Sequence, residues 1–401
     1  MKVLISNPPW FIPIGSLRKN ATRMGLRAGG RWPYTTALSK GYFCFPFNMA
    51  YAHAYLKEKG IDSTLRDSIL HSDEYGDFFK RALEFDYVVM ETASASREND
   101  YYLAKEISKR SKIIMVGIHA TAFADELIKL KEVYAVLKGE YERNLYACLM
   151  EKCGRVYDFD EWENIDNAPF PTRDETTYLY HTPRHPFAVN IWASRGCPFQ
   201  CSFCYATCFQ QKTRYRPHSP ERIGKEIENV LKKLPKIRYI YFDDDTFNIG
   251  DNRIREISKI MKNFKLPWGA MCRADTCNLG TFKIMKESGC KEVKIGIESG
   301  SQRVLDDIIN KSLNLETAKN TIVEIKKMGL HVHGTFMYGF PTETPEEVRM
   351  TKKVINELKC NSYQFSHVGL LSGTKLWKEF EKTHKRKPTL RESDGVHLKG
   401  A

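Results

Sequence analysis

The sequence predicts an α/β protein with two parallel-sheet units, a doubly wound sheet followed by a partial (β/α)6 barrel. Five short apolar runs alternate with helical stretches over residues 1–150, and six strand-like runs do so over residues 186–376. A segment with several prolines and little periodicity, residues 151–185, separates the two series, and a short basic tail, residues 377–401, follows them. Strands that alternate with helices are typical of parallel sheets, and a proline-containing connector is typical of a domain boundary.

Composition indicates a soluble globular protein in a reducing compartment. The chain has 401 residues, of which 42% are hydrophobic and 28% charged, and eleven cysteines are too few for a disulfide scaffold. The N-terminal residues lack the apolar core of a signal peptide, and no apolar run approaches the length of about 18 residues that a membrane span needs. We therefore expect a cytoplasmic protein with no membrane span.

The net charge of +13 is concentrated at the two ends of the chain. Residues 1–57 hold eight Lys/Arg and no Asp or Glu, whereas residues 372–401 hold eight against four. This pattern disfavours a nucleic-acid partner, because such binders usually carry a basic stripe across a folded face. The N-terminal excess suits a mobile loop that contacts an anionic cofactor or substrate, or a solvated basic loop with no ligand; its members are Arg18, Lys19, Arg23, Arg27 and Arg31.

In the first unit, each apolar run ends in small, polar or proline residues. We expect strands at 2–6, 63–65, 87–90, 112–117 and 134–137, with helices at 47–59, 75–83, 100–108 and 123–130. Ligands of doubly wound sheets lie beyond the carboxyl ends of the strands. The candidate ligand-binding edge is therefore formed by Asn7–Trp10, Glu91–Ser96 and Gly117–Thr121.

The second unit repeats a longer β/α period. We expect strands at 187–193, 238–243, 267–273, 291–297, 331–338 and 361–369, and helices at 220–233, 252–263, 280–288, 303–309 with 315–328, and 344–358. In parallel barrels the chemistry lies at the carboxyl ends of the strands, in the βα loops. The loop after the first of these strands is the one with the most distinctive chemistry.

That loop carries three cysteines in the pattern C-x3-C-x2-C, Cys197, Cys201 and Cys204. The spacing does not follow one helix face, which favours a loop that surrounds a small inorganic group. Three thiolates on a cubane leave the fourth iron without a protein ligand, and such a site performs chemistry. Two other interpretations are three unrelated buried thiols and a zinc site completed by Cys208.

With the aromatic Phe203 before the last cysteine, this stretch resembles the signature of the radical S-adenosylmethionine (radical SAM) superfamily. The resemblance implies a partial TIM-type barrel and a [4Fe–4S] cluster on the three cysteines, whose open iron binds SAM. It also implies reductive cleavage of SAM to methionine and a 5′-deoxyadenosyl radical, with an electron from a reducing partner such as flavodoxin or ferredoxin.

Four later strand ends resemble the SAM-contacting loops of this superfamily. By this resemblance Asp243 and Asp244 accept from the SAM ammonium group, although at least one of these aspartates can instead cap the following helix. Arg273 pairs with a carboxylate or holds substrate, and Arg273 and His333 are the catalytic candidates. His331 and His333 lie two apart on a strand and face the same way. Arg273 is also a SAM candidate, and the remaining SAM candidates are Phe203, Glu298, Ser299 and Gly339.

The first unit resembles the Rossmann-like cobalamin-binding domain that precedes many radical SAM barrels. Its matching features are Asn7-Pro-Pro, Gly117-Ile-His-Ala-Thr121 and Gly139-Glu140. The D-x-H-x-x-G motif that brings a histidine to cobalt in other cobalamin proteins is absent, so we expect no cobalt ligand from it. Some members of the family have lost cobalamin, and His119 can also be a turn-capping residue. The cobalamin candidates are Asn7, Pro8, Thr92, Ser94, His119, Gly139 and Glu140.

These resemblances imply a cobalamin-dependent radical SAM enzyme that methylates an unactivated carbon through a 5′-deoxyadenosyl radical and methylcobalamin. The substrate is expected to be a small molecule or peptide, and the basic chain ends favour an anionic one. Cyclisation, ring contraction, dehydrogenation and a non-catalytic Fe–S or cobalamin sensor stay open. A methylthiotransferase is disfavoured, because too few residues follow 376 for an RNA-binding barrel.

Overall fold

The first half of the chain forms a six-stranded parallel sheet in the computed structural model, which describes residues 1–13, 22–24, 44–180, 184–209 and 215–393. The sheet has the order β4-β1-β5-β6-β7-β8. Its strands are β1 Lys2–Asn7, β4 Asp62–Asp67, β5 Tyr87–Glu91, β6 Lys112–Val116, β7 Val133–Leu137 and β8 Val156–Tyr157. A small antiparallel pair, β2 Phe11–Pro13 and β3 Thr22–Met24, follows β1. Most of the predicted basic N-terminal loop lies outside the described residues.

Helices cover both faces of this sheet. They are α1 Phe47–Glu58, α2 Tyr75–Ala82, α3 Arg97–Ile107, α4 Ile118–Ala122, α5 Ala124–Leu127 and α6 Glu142–Glu151. Val3 and Ile5 of β1 pack with α1 and α6, whereas Leu4 packs on the other face with α2 and α3. Side chains of a strand alternate between the two faces, so an apolar strand buries residues on both sides. The predicted doubly wound architecture is confirmed.

Two details differ from the sequence-based expectation. The helix predicted at 123–130 is the shorter α5, Ala124–Leu127, and an unpredicted helix, α4, precedes it; Phe123 between them leaves helical geometry. The helix α6 and the edge strand β8 were not predicted at all. In the observed strand order β1 lies inside the sheet, so its carboxyl end lies at the same edge as those of β5 and β6.

The second half forms another six-stranded parallel sheet, in the order β16-β15-β14-β13-β12-β9. Its strands are β9 Ala188–Ile191, β12 Tyr239–Phe242, β13 Trp268–Cys272, β14 Cys290–Glu298, β15 His331–Tyr338 and β16 Ser362–His367. This sequential order is that of a partial (β/α)6 barrel, as predicted. A short pair, β10 Ser194–Arg195 and β11 Arg216–Pro217, lies beside the cysteine loop.

The barrel helices begin at residues that cap them. Ser219, Asn278, Asn314 and Thr344 each accept a hydrogen bond from a backbone N–H in the first turn, and Thr344 forms a reciprocal capping box with Glu347. The helices are α7 Ala206–Phe209, α8 Pro220–Lys233, α9 Asp251–Phe264, α10 Leu279–Glu287, α11 Leu315–Lys327, α12 Pro345–Leu358, α13 Lys375–His384 and α14 Leu390–Ser393. The tail was predicted to begin at residue 377, but helix α13 spans this position, and Trp377 is buried. The proposed domain boundaries stay predictions.

The two halves meet at the carboxyl edge of the first sheet. Ile118, Tyr205, Phe209 and Leu371 form one apolar cluster across the interface. Hydrogen bonds and buried ion pairs join the same surfaces, so the first sheet lies against the side of the barrel that carries the cysteine loop.

Candidate active site at the cysteine loop

The cysteine loop begins at Gly196, whose φ of +83° is the left-handed backbone conformation that glycine adopts without strain. The turn 308–312 then holds the middle of the loop. The Ser202 hydroxyl donates to the Ile308 carbonyl at 2.7 Å, and the Ser202 N–H donates to the Ile309 carbonyl at 2.8 Å. The Asn310 amide donates to the Gln200 carbonyl at 3.2 Å. These contacts fix the loop to the barrel before any ligand binds.

All three cysteines line one cavity at the carboxyl end of the barrel. The space between its walls is about 1240 Å³, a volume that includes the part open to solvent. Strands β13 to β16 contribute to its wall, together with the turn that follows β12. The lining residues outside the cysteine loop include Asp245, Thr246, Met271, Cys272, Arg273, Lys294, Gly296, Glu298, Lys311, Thr335, Phe336, Met337, Gln364, Ser366, His367, Gly369 and Leu371.

The surroundings of the cysteine loop disfavour the ionised form of its thiols. Burial raises the pKa of the Cys204 thiol, and the negative charge of Asp245 and the neighbouring cysteines raise it further. Burial and Asp245 also raise the pKa of Cys197. Thiolates at such a site need a bound cation to balance their charge, and soft thiolate ligands select iron–sulfur clusters, zinc or copper. The donor set therefore fits a thiolate-bound metal group.

A [4Fe–4S] cubane and a single metal ion differ in how closely their ligands must be grouped. Within the described part of the chain, no three His, Cys, Asp or Glu side chains converge as a single metal ion requires. A cubane instead takes each thiolate on a different iron, so the three sulfurs need not converge. Cys208, the candidate fourth zinc ligand, points elsewhere, since its thiol donates to the carbonyls of Tyr205 at 3.2 Å and Ser372 at 3.5 Å.

The structure brings only part of the predicted SAM set to the cavity. Phe203, Arg273 and Glu298 line it. Asp244 is fully buried beneath the wall, where it accepts from the Ser194 hydroxyl and from the Ala193 N–H at 3.2 Å. Burial raises its pKa to about 6. Asp245, which was not among the named candidates, lines the cavity in its place.

The other predicted residues, Asp243, Ser299 and Gly339, are not among those that line the cavity. Asp243 accepts from the Asn190 amide at 3.3 Å, and Ser299 accepts from the Ser301 N–H at 3.1 Å. Gly339 has a φ of +82°, and a Cβ there would collide with the imidazole ring of His367, so glycine permits this close approach.

His333 is a neighbour of the cavity rather than part of its wall. Its Nδ1 lies 2.8 Å from the Ser362 hydroxyl, and Nε2 of His331 lies 3.1 Å from the same oxygen. The two histidines therefore share one face of β15, as the alternation of a strand predicts. The role of His333 in catalysis stays a prediction.

Arg273 is the centre of a network that joins the cluster loop to Glu298. Its guanidinium lies 3.7 Å from the ring centroid of Phe199 in the cysteine loop and pairs with Asp275 at 2.8 and 2.7 Å. It also donates to the Lys311 carbonyl at 3.0 Å. The ammonium group of Lys311, in turn, donates to Glu298 Oε1 at 3.1 Å. These contacts indicate a positioning role for Arg273 in addition to its place on the cavity wall.

The candidate residues at the edge of the first sheet are buried in the interface. The Asn7 amide donates to Asp67 at 2.9 Å, and the Thr92 hydroxyl donates to the Val116 carbonyl at 2.7 Å. His119 lies between the Tyr101 hydroxyl at 2.6 Å and the Ser372 hydroxyl at 2.9 Å. The Ser94 hydroxyl accepts from the Ser372 N–H at 2.8 Å.

The last two candidates follow β7. The Gly139 N–H donates to the Thr121 hydroxyl at 2.9 Å. Glu140 pairs with Arg195 at 2.8 Å and with Arg216, both of which come from the barrel half. Burial opposes ionisation of Glu140, but the two guanidinium groups outweigh it and lower the pKa of this carboxyl. Glu140 therefore holds the two halves together.

Sequence reasoning missed several residues of the wall. Lys294, Thr335, Gln364 and Ser366 lie on β14, β15 and β16 and face the cavity. For Lys294 the period of two in β14 was the available signal, because this residue lies between the buried Val293 and Ile295. Lys311 lies in a turn, where no periodicity identifies it.

Fold and site together define an enzyme of the radical SAM type, in which a thiolate-bound cluster lies at the mouth of a partial barrel. Residues 193–355 match the radical SAM superfamily. The chain is also 32% identical over 361 residues to an uncharacterised methyltransferase of Pyrococcus horikoshii, covering 83% of this chain and 77% of that relative. This protein belongs to the radical SAM superfamily, and its cofactors accordingly include a [4Fe–4S] cluster and SAM.

Two further similarities are informative. A cytidylyl-2-hydroxyethylphosphonate methyltransferase of Streptomyces wedmorensis is 31% identical over 243 residues, which cover 54% of this chain and 43% of the relative. The structure of the cobalamin-dependent radical SAM enzyme OxsB with aqua-cobalamin and SAM bound superposes with a TM-score of 0.73 at 14% identity. That superposition covers 99% of this chain and 64% of OxsB, and it confirms the two-unit fold.

Proposed function

We propose that this protein is a cobalamin-dependent radical SAM methyltransferase that acts on an unactivated carbon of a small molecule. The observation that carries the proposal is the single cavity shared by three cysteines and the inner faces of β13 to β16. A cluster, SAM and a substrate carbon must be brought together in one shared space of this kind. The similarity to two methyltransferases supports methyl transfer as the outcome.

The residues of the site have separable tasks in this proposal. When bound, the cluster supplies an electron for reductive cleavage of SAM, and cobalamin supplies a methyl group to the substrate. Cys197, Cys201 and Cys204 hold the cluster. Glu298 accepts hydrogen bonds from the SAM ribose, and Asp245 lies on the wall next to the cysteines, where it can accept from the SAM ammonium group. The apolar side chains Met271, Phe336 and Met337 limit the access of water, which would quench a radical.

Cobalamin binding is supported by one feature at the edge of the first sheet. The Oδ1 of Asn7 is buried and accepts no hydrogen bond from the described part of the chain. A buried acceptor without a donor is costly, so a donating ligand at this edge would stabilise the protein. The corrin ring carries amide groups that can donate. Asn7, Pro8, Thr92, Ser94, His119, Gly139 and Glu140 stay the candidates for the surroundings of this cofactor.

The partners follow from the same chemistry. The reaction needs a one-electron reductant, and we propose a flavodoxin or ferredoxin in this role.

In the part of the chain that the structure describes, none of the helices is both long and apolar enough to cross a bilayer.

The test is anaerobic reconstitution with iron, sulfide and cobalamin, followed by incubation with reductant and SAM labelled in its methyl group. We expect 5′-deoxyadenosine, S-adenosylhomocysteine and a labelled acceptor. The variant Cys197→Ala/Cys201→Ala/Cys204→Ala should lose bound iron and all 5′-deoxyadenosine, because no other ligand holds the cluster. Cys153→Ala, which removes an exposed thiol, is the matched control and should behave as wild type.

The products of this incubation distinguish methyl transfer from another radical reaction and from a sensor function. Release of 5′-deoxyadenosine with an unlabelled, cyclised or dehydrogenated product would replace methyl transfer by another radical reaction. A protein that binds cluster and cobalamin but releases no 5′-deoxyadenosine would be a sensor, and the proposed function would be wrong.

A further inference from the structure

Two arginines stand at the base of the cysteine loop. Strand β10 ends at Arg195, directly before Gly196 and Cys197, and β11 begins at Arg216. The two strands are antiparallel, and their register places Arg195 opposite Arg216. All three cysteines of the loop lie in the chain between these two arginines. Contacts that fix the arginine pair therefore fix both ends of the segment that carries the thiols.

Both arginines bind carboxylates of the first half of the chain. Nη1 of Arg195 donates to Glu140 at 2.8 Å and to Glu142 at 2.6 Å. Nη1 of Arg216 donates to Glu140 at 3.2 Å, and its Nη2 donates to the other oxygen of the same carboxylate. The side chains of these four residues are at most 3% exposed. They are here called the arginine–glutamate network, and they join the base of the cysteine loop to the carboxyl edge of the first sheet.

The network is ionised although it is buried. Burial disfavours the charged form of Arg195, but Glu142 and Glu140 outweigh burial and raise the pKa of its guanidinium above the usual value. The guanidinium also lies 4.1 Å from the ring centroid of Tyr51 in α1. The attraction within a buried ion pair is largely offset by the loss of hydration, so such a pair adds little net stability. What these contacts supply is one defined position for Arg195.

The residues just before Arg195 are held by the barrel half instead. The Ala193 carbonyl accepts from the His218 N–H at 2.9 Å and from the Arg253 guanidinium at 2.6 Å. The chain therefore passes from contacts with the barrel half at Ala193 to contacts with the first half at Arg195. Cys197 follows two residues later. A shift of the first half against the barrel would act on this short stretch and move Cys197.

The network also lies close to the cavity of the cysteines. A small cavity of about 280 Å³ is lined by Arg195, Glu140 and Asp245, among others. Asp245 in turn lines the large cavity, and its charge acts on the thiols of Cys197 and Cys204. The network and the cysteines are thus neighbours of the same carboxylate. A change in the position of Arg195 would reach both the thiols and the residue proposed to bind the SAM ammonium group.

We propose that Arg195 is a positioning residue for the [4Fe–4S] cluster. Through its pairs with Glu140 and Glu142 it sets the position of Cys197, and thereby the orientation of the open iron towards SAM. The contact between the two halves of the chain then determines how tightly SAM binds. Arg195 does not line the large cavity, so it acts through the loop. The inference goes beyond the proposed function, because it requires the cluster and SAM but neither cobalamin nor methyl transfer.

The main test is the double variant Arg195→Met/Glu142→Gln. It removes one positive and one negative charge together and leaves Glu140 paired with Arg216, so each remaining charge keeps a partner. In the reconstituted holoenzyme we expect the iron content of wild type and a Kd for SAM raised at least about tenfold. We also expect a change in the electron paramagnetic resonance spectrum of the reduced cluster with SAM bound, because ligand orientation at the open iron affects that spectrum.

Two further variants complete the comparison. Arg195→Lys keeps the charge, but an ammonium group cannot bridge two carboxylates as the planar guanidinium does, so SAM binding should weaken at least about threefold. The control Arg66→Met/Asp73→Asn removes a partly buried pair at 2.8 Å that begins on the edge strand β4, away from β7 and the cysteine loop. The control should keep the SAM affinity and the spectrum of wild type.

Thermal unfolding and iron content show whether each variant is folded and loaded. Wild-type SAM affinity and spectrum in the loaded double variant would overturn the proposal, and so would an equal change in the control, because a general loss of stability would then explain it. If the double variant loses iron, Arg195→Lys decides, and wild-type SAM affinity in that variant overturns the proposal. These measurements need no turnover. An enzyme that behaves as expected here but forms no methylated product refutes the proposed function alone.

Discussion

At the scale of single residues, the geometry of the site depends on side chains that fix the positions of other side chains. Glu298 has a φ of +72°, a left-handed conformation that is unfavourable for a non-glycine residue, and a bulge in the pairing of β14 with β15 lies beside it. Its carboxylate is nevertheless directed at the cavity, because Lys311 binds one of its oxygens. Strain of this kind persists only where surrounding contacts determine the conformation.

Replacement of Lys311 by methionine should weaken SAM binding. Without the ammonium group, Glu298 is a buried carboxylate that lacks its ion pair, and it should turn away from its position at the cavity. We expect the Kd for SAM to rise at least about tenfold, with iron per chain unchanged, as measured by equilibrium dialysis of the reconstituted protein. Lys311→Arg should recover part of the affinity.

The matched control is Lys319→Met, which removes a surface pair with Glu316 at 2.9 Å and should bind SAM normally. Normal SAM binding by Lys311→Met would show that the pair stabilises the fold without positioning Glu298.

At the scale of secondary-structure elements, β14 is the strand on which the barrel half depends. It contributes four fully buried residues to the core, and it supplies Lys294, Gly296 and Glu298 to the cavity. Directly after it, the chain passes very close to α12. A Cβ at Gly300 would lie 2.6 Å from the carbonyl oxygen of Met350 and 2.7 Å from Cα of Thr351. Backbone atoms cannot move aside as a flexible side chain can, so this position requires glycine.

Gly300→Ala should therefore displace α12 from the end of β14. We expect the free energy of unfolding to fall by about 2 kcal/mol or more, which is typical of overpacking in a well-packed core. SAM binding should weaken as well, because Glu298 lies two residues from Gly300. Chemical denaturation and SAM titration measure the two effects.

At a second glycine, Gly76, substitution by alanine should raise stability instead of lowering it. A Cβ added at Gly76 in α2 would have no atom within 4 Å, so Gly76→Ala should raise the unfolding free energy by about 0.5–1 kcal/mol through helix propensity. A neutral effect of Gly300→Ala, with no change in SAM binding, would mean that α12 adjusts without loss.

At the scale of the whole molecule, the interface between the two halves is rich in buried polar groups. Glu140 and Glu142 of the first half both pair with Arg195 of the barrel half, at 2.8 and 2.6 Å. His119 joins Tyr101 to Ser372 nearby, and it is fully buried. Each of these groups loses hydration in the interface and depends on its partner in the other half.

Acidification should weaken this interface through His119. Burial, and to a lesser extent Arg97 and Lys387, lowers the pKa of His119 from 6.5 to about 3, so the unfolded chain binds the proton more tightly than the folded chain. Stability is therefore lost as pH falls from about 6.5 towards 3. At pH 5 the cost is about 2 kcal/mol, from 1.36 kcal/mol for each pH unit.

His119→Gln cannot titrate, so its free energy of unfolding should change less between pH 7 and pH 5, by about 2 kcal/mol. The control His384→Gln alters an exposed histidine of α13 and should keep the pH dependence of wild type. Urea denaturation of the full chain at the two pH values measures both. An unchanged pH dependence in His119→Gln would show that the buried histidine is protonated without cost.

The chain sequence by itself determined the fold class, the alternation of strands and helices in both halves, and the three cysteines with their cluster chemistry. These properties are local, because they depend on periodicity, on capping residues and on the spacing of ligands along a short loop. Only the tertiary structure decided which of three consecutive aspartates reaches the cavity, and that Glu140 and His119 hold the interface together. It also revealed Lys311 and Lys294 as parts of the wall. Such assignments depend on where separate strands and turns meet, and distances between residues far apart in the chain are set by packing rather than by any local pattern.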